Sequence, residues 1–132
     1  MKILFAAIYI IFLSSCSSEK KIPNTDIDVA RAFITDILQN NFTEAEKLVL
    51  KEDTNKQFFD LFKKDYEAKS KEDLDNYKKA DIIINEISPI NDSISIINYS
   101  NSFRRDKSSK VKMVRMNGQW LVDLKYTFSG NM

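Results

Sequence analysis

KVKMVRMNGQWLVDLKYTF, residues 110–128, is the stretch that decides the fold. At its centre Asn117-Gly118 is a strong two-residue hairpin signal, because both residues tolerate positive φ. Downstream, Trp120, Val122, Leu124, Tyr126 and Phe128 alternate with Leu121, Asp123, Lys125 and Thr127, which predicts a strand over 119–128 with one face for the core. Lys110–Met116 is its partner across the turn. Working upstream, residues 81–90 (DIIINEISPI) and 93–103 (SISIINYSNSF) are crowded with β-branched residues and predict two more strands, joined at Asn91-Asp92. Pro89 cannot donate to a ladder, so the first of these is either an edge strand or ends early.

Before residue 81 the apolar period lengthens to that of a helix. Ala30, Phe33, Ile34, Ile37 and Leu38 recur at three- and four-residue steps over about 26–40, and Thr25 is a suitable N-cap. Thr43-x-x-Glu46 has the form of a capping box opening a shorter helix with Ala45, Leu48 and Val49 on one side. Thr54-x-x-Gln57 has the same form before the stripe Phe58, Leu61, Phe62 and Tyr66. The charged stretch 67–80, with Leu74 and Tyr77 three apart, either extends that third helix or forms a fourth. Helices followed by a four-stranded antiparallel meander make an α+β domain, with the N-terminal helices packed on one face of a curved sheet.

This order resembles the nuclear-transport-factor-2-like (cystatin-like) superfamily and small bacterial lipoproteins that carry such a domain. The resemblance rests on Val29-Ala30-x-x-Phe33-x-x-x-Ile37-Leu38, on Asn41-Phe42-Thr43-Glu44-Ala45-x-x-Leu48 and on Asn117-Gly118-Gln119-Trp120-Leu121-Val122. It covers about residues 26–128. It implies a sheet curved around a long helix, enclosing a cone that serves as an active site, a ligand site or a filled core. Fold analogy does not choose among these uses.

The N-terminus carries a different kind of information. Met1-Lys2 is followed by an apolar run from Ile3 to Leu13 and then by Ser14-Ser15-Cys16, the order of a secretory signal. Eleven helical residues rise only about 16 Å, against a hydrocarbon core of about 30 Å, so the run is too short to be a membrane span. Leu13-Ser14-Ser15-Cys16 resembles a bacterial lipobox, which implies lipid attachment at Cys16 after removal of a signal peptide over 1–15. Residues 16–25 then read as a lipidated tether, and 26–132 as a single domain. The expected location is the bacterial cell envelope, at the outer membrane where one is present.

Composition narrows the chemistry. The 132 residues include one cysteine and no histidine, and 20 Lys+Arg against 19 Asp+Glu give a net charge of +1. So even a balance supplies no global field for nucleic acid. A lone thiol forms no internal disulfide, and the absence of histidine removes His-based triads and the common zinc ligands. The two glycines, Gly118 and Gly130, form no phosphate loop. No cofactor is expected. Asp26-Ile27-Asp28 and Asp73-Leu74-Asp75-Asn76 lack the spacing of a calcium loop, and read as a helix start and a solvated face, so no metal is expected.

Enzymes of the resembled superfamily that isomerise steroids pair a carboxylate base with a phenol in the cone. Strand parity puts Asp123 opposite Trp120 and Tyr126, and the face of Ile97, Tyr99, Asn101 and Phe103 carries no acid. No catalytic residue is expected. Tyr99, Trp120 and Tyr126 are either ordinary core or, with Phe33, Phe62 and Tyr66, the lining of a pocket.

Charge is uneven along the chain: residues 94–132 hold seven basic and two acidic side chains, whereas 26–93 hold ten and sixteen. Arg104, Arg105, Lys107, Lys110, Lys112 and Arg115 are either a solvated hairpin whose lysines discourage edge pairing, or an interaction patch for headgroups or an acidic protein. The leading expectation is a non-enzymatic binding module at the envelope, taking an envelope protein or a small apolar ligand. An enzyme with a carboxylate–tyrosine pocket is the alternative, and an immunity- or inhibitor-type lipoprotein using the basic hairpin is a third.

Overall fold

The computed structural model describes residues 23–128. The expected signal peptide over 1–15, Cys16 and the expected tether up to residue 22 lie outside the described residues, as does the side chain of Phe128. Four helices come first: α1 (Asp26–Leu38), α2 (Phe42–Glu46), α3 (Asp53–Glu67) and α4 (Lys71–Lys79). Four strands follow, β1 (Ile82–Asn91), β2 (Ile94–Asn101), β3 (Ser109–Met116) and β4 (Gln119–Asp123), and a short helix α5 (Leu124–Phe128) closes the described chain. The sheet is an antiparallel meander in the order β1-β2-β3-β4, with the helices on one face, an α+β domain as the sequence predicts.

α1 begins where expected, because the Thr25 hydroxyl accepts from the Asp28 backbone N–H at 3.1 Å. Val29, Ala30, Phe33, Ile34, Ile37 and Leu38 form its buried face. It stops at Asn40, whose φ of 58° is the left-handed conformation that ends a helix, and the next N–H, of Asn41, returns to the Asp36 carbonyl at 2.7 Å.

Neither expected capping box forms. Thr43 and Thr54 lie inside α2 and α3, whose N-caps are Asn41 and Glu52, with no side-chain cap bond at either. Packing overrides the local signal in both places. Phe42 is drawn into the core, edge-on to Phe59 at 5.8 Å and Tyr66 at 5.5 Å, and it takes the start of α2 with it. Buried Asn55 accepts from the Leu124 N–H at 2.8 Å, which holds the first turn of α3 in place. The stretch 67–80 is a separate helix, because the Ser70 hydroxyl caps Asp73 at 3.1 Å and restarts the chain.

In the sheet, Asn117 and Gly118 adopt φ of 51° and 77°, the hairpin the sequence predicts. Pro89 does lie on an edge strand, and β1 shifts register on either side of it. The β1–β2 reversal comes at Asp92-Ser93, one residue late, since Asn91 Oδ1 takes the Ser93 N–H at 2.8 Å. β2 ends at Asn101 rather than 103, where the Asn101 side chain accepts from the N–H groups of Phe103 and Arg104.

The largest departure is the last strand. It stops at Asp123, not at 128, because the Asp123 carboxylate accepts from the Lys125 N–H at 3.2 Å while Asn55 holds Leu124, and together they turn the chain into α5. Along the outer side of β4, Leu50 and Val122 exchange backbone bonds with Val122 and Leu48 at 2.9 and 2.8 Å, so this edge is covered. The core lies between α1 and the inward residues Ile97, Val111, Met113 and Val122, all 2 % exposed or less.

Candidate functional site

Where α1 ends and α3 leans over β2 and β3, the layers part and leave a cavity of about 200 Å³. Its walls are aromatic. Phe33 comes from α1, Phe62 and Tyr66 come four residues apart from one face of α3, and Tyr99 comes from the inward face of β2. Parity fixes Tyr99: it pairs with Ile84 and Ser109, as Ile97 pairs with Ile87 and Val111, all on the helix side.

Both phenols are held as hydrogen-bonding, neutral groups. Burial, with a smaller contribution from Tyr77, pushes the Tyr66 hydroxyl up to about 12. The Tyr66 hydroxyl donates to the Leu38 carbonyl at 2.9 Å. Burial likewise pushes Tyr99 up to about 12, offset in part by a side-chain bond with Ser109. Neither phenol loses its proton near neutral pH.

The rim is charged. Asp65 and Lys69 pair at 3.7 Å, with the Asp65 side chain 75 % exposed, and the Lys69 ammonium stands 6.0 Å from the centre of the Tyr77 ring. Arg104 and Lys107 enter from the β2–β3 connection. Arg104 pairs with Asp106 at 3.3 Å, and this bond raises the guanidinium's pKa and lowers that of the carboxyl. Among the lining residues Asp65 is the one acid, facing three cations.

Four of the six aromatics singled out from the sequence thus meet in one cavity. The other two do not join them. Trp120 pairs across the sheet with Arg115, at the opposite end of β3 from Ser109, and is half buried against the core. Tyr126 lies on α5 and is out of phase with Trp120, because β4 ends before it. Sequence reasoning passed over Asp65 and Lys69, although they continue the stripe of Phe62 and Tyr66 at helical spacing.

The basic side chains divide by position. Arg104, exposed Arg105 and Lys107 lie on the β2–β3 connection, beside the cavity mouth. Lys110 and Lys112 point to the sheet face away from the helices, since they alternate with buried Val111 and Met113, and Lys112 reaches Asp123 at 3.6 Å. Arg115 lies beside the β1–β2 turn, its N–H donating to the Ser93 carbonyl at 2.7 Å.

A second hollow, about 510 Å³, opens between α2 and the start of α3. Lys47 pairs with Glu44 at 2.6 Å and Lys56 with Glu46 and Asp60 at 3.4 Å around it, and the groove is open to solvent. Among the described residues no acid, Cys or His cluster is arranged to hold a metal, and no helix is long and apolar enough to cross a membrane.

No protein-family model matches the chain. No curated protein matches it either. Among solved structures it is similar to a Campylobacter jejuni protein provisionally named an NTF2-like transpeptidase, at 25% identity and a TM-score of 0.54, over 73% of this chain and 94% of that one. With four helices laid over one face of a curved antiparallel sheet and an aromatic cavity between the layers, the fold of this chain is NTF2-like.

Proposed function

We propose that this chain is a lipoprotein, anchored at Cys16 to a bacterial envelope, whose NTF2-like domain binds a small, largely apolar ligand without transforming it. The observation that carries the binding reading is the cavity itself: aromatic walls from three elements, and a rim whose single acid is turned to solvent and paired with Lys69 at 3.7 Å. A carboxylate serving as a base in an apolar site is buried beside its phenol. Asp65 is placed for charge balance instead. Recognition sites of this kind combine apolar walls with a few polar groups that fix orientation, here the two phenols and the rim cations.

The name of the Campylobacter protein raises acyl transfer as a second reading. Ser109-Lys110-Val111-Lys112 has the Ser-x-x-Lys spacing used by penicillin-binding transpeptidases. That motif needs the lysine within hydrogen-bond reach of the serine. On β3 the two side chains point to opposite faces, Ser109 to the cavity and Lys112 to Asp123. The arrangement favours binding over that chemistry.

The test is native mass spectrometry of the protein released from envelopes in detergent. The wild type is expected to carry a small-molecule adduct beyond any covalent lipid, and Ser109→Phe, which fills the cavity from β3, to lose it. A wild type free of adduct, or one retained by Ser109→Phe, contradicts the reading.

A further inference from the structure

The most exposed apolar side chains of the sheet lie at the end away from the cavity. Ile90 is 62 % exposed and Met116 50 %. The register gathers them. Ile94 pairs with Val114 and the Arg115 N–H reaches the Ser93 carbonyl, so the β1–β2 and β3–β4 turns lie side by side. Half-buried Trp120, opposite Arg115, belongs to the same end.

The chain also enters the fold here. Asp26, the first residue of α1, accepts from the buried Ser95 hydroxyl at 2.7 Å, and Ser95 pairs with Pro89 and Met113. Pro23 therefore leaves the domain beside this apolar end, and the seven steps back to Cys16 reach no further than about 25 Å even fully extended. The mouth of the cavity, at Tyr99, Arg104, Lys107 and Ser109, lies at the other end of β2 and β3. From Ser109 to Met116 the strand alone spans about 23 Å.

We infer that Ile90 and Met116 form a lipid-facing tip, with half-buried Trp120 at the same end of the sheet, that rests in the interfacial layer of the bilayer and holds the cavity mouth away from it. This rests on the anchoring of Cys16, which brings the tip to the surface at high effective concentration, so that a small apolar patch suffices to set orientation. Indole and aliphatic groups at a sheet end suit the headgroup boundary. Contact is apolar rather than electrostatic, since exposed Asp28 and Asp92 offset Arg115 at this end. The Arg104 side of the domain points outward to the aqueous phase.

Trp120 is the only tryptophan in the chain, so its fluorescence reports this end alone. The mature protein, purified from membranes, is reconstituted into phosphatidylcholine–phosphatidylglycerol vesicles containing headgroup-spin-labelled lipid. Quenching of about twofold, insensitive to salt, is expected, and in the Ile90→Asp, Met116→Asp variant it falls while the protein still co-sediments with vesicles. Unquenched Trp120 in co-sedimenting wild type overturns the orientation, including the case of a second copy covering the tip. Quenching unchanged in the double variant overturns the role of Ile90 and Met116. Failure to co-sediment instead condemns the anchor at Cys16, and the orientation falls with it.

Discussion

The Tyr66 hydroxyl donates to the Leu38 carbonyl at 2.9 Å, tying the last turn of α3 to the last turn of α1 across one wall of the cavity. The carbonyl it satisfies belongs to the end of a helix, where intrahelical partners run out. Tyr66→Phe keeps the ring packed on Phe42 but leaves that carbonyl without its donor. A loss of about 1 kcal/mol is expected, read as a lower denaturant midpoint at unchanged slope. An unchanged midpoint shows that the bond contributes nothing to stability.

Alkaline pH tests the same wall. Tyr66 and Tyr99 are both pushed to about 12, above the ordinary value of 10.0 that they regain on unfolding. Between those values the folded state binds more protons than the unfolded one, so stability falls as pH rises through that window and is unaffected by these groups below it. Each phenol contributes at most about 2–3 kcal/mol to the fall. Chemical denaturation at stepped pH is expected to show the decline, and Tyr99→Phe to make it shallower. Equal slopes in variant and wild type contradict the assignment.

Asn55 is wholly buried, and its Oδ1 accepts the Leu124 N–H while its Nδ2 has no partner among the described residues. It joins α3 to the point where β4 becomes α5. Asn55→Ala orphans a buried backbone donor, for a cost of about 1–3 kcal/mol. Urea unfolding measures the loss, and hydrogen exchange is expected to accelerate at Leu124 first. A variant as stable as wild type contradicts the role given to this bond.

Gly118 has φ of 77° and nothing within 4 Å of where a Cβ would stand. Gly118→Ala therefore meets strain but no clash, and is expected to cost about 1 kcal/mol in thermal unfolding. A cost several times larger reveals a contact that the geometry does not contain.

Local signals carried much of this architecture into view. Asn117-Gly118, Thr25 and the stripe of Phe33, Ile34, Ile37 and Leu38 act through their own neighbours, and each forms as the sequence predicts. The errors come from distant partners. Leu124 and Tyr126 continue the alternation of β4 perfectly well, but Asn55, 69 residues earlier, takes the Leu124 N–H and the strand gives way. Trp120 shows a second limit. Parity correctly gives the face of a strand residue, yet says nothing of its position along the strand, and so Tyr99 reaches the cavity while Trp120 lies at the other end. Asp65 and Lys69 were legible in principle, three and seven residues beyond Phe62 on one stripe, but charged residues on a helix do not announce a rim until the wall beneath them is known.

Anchoring depends on the state of one sulfur. Intact-protein and N-terminal peptide mass spectrometry of membrane-extracted material is predicted to find a chain beginning at Cys16 with a thioether-linked diacylglycerol, and Cys16→Ser to give an unprocessed precursor without fatty acid. A mature protein that retains Met1–Ser15, or that carries a free thiol at Cys16, contradicts it.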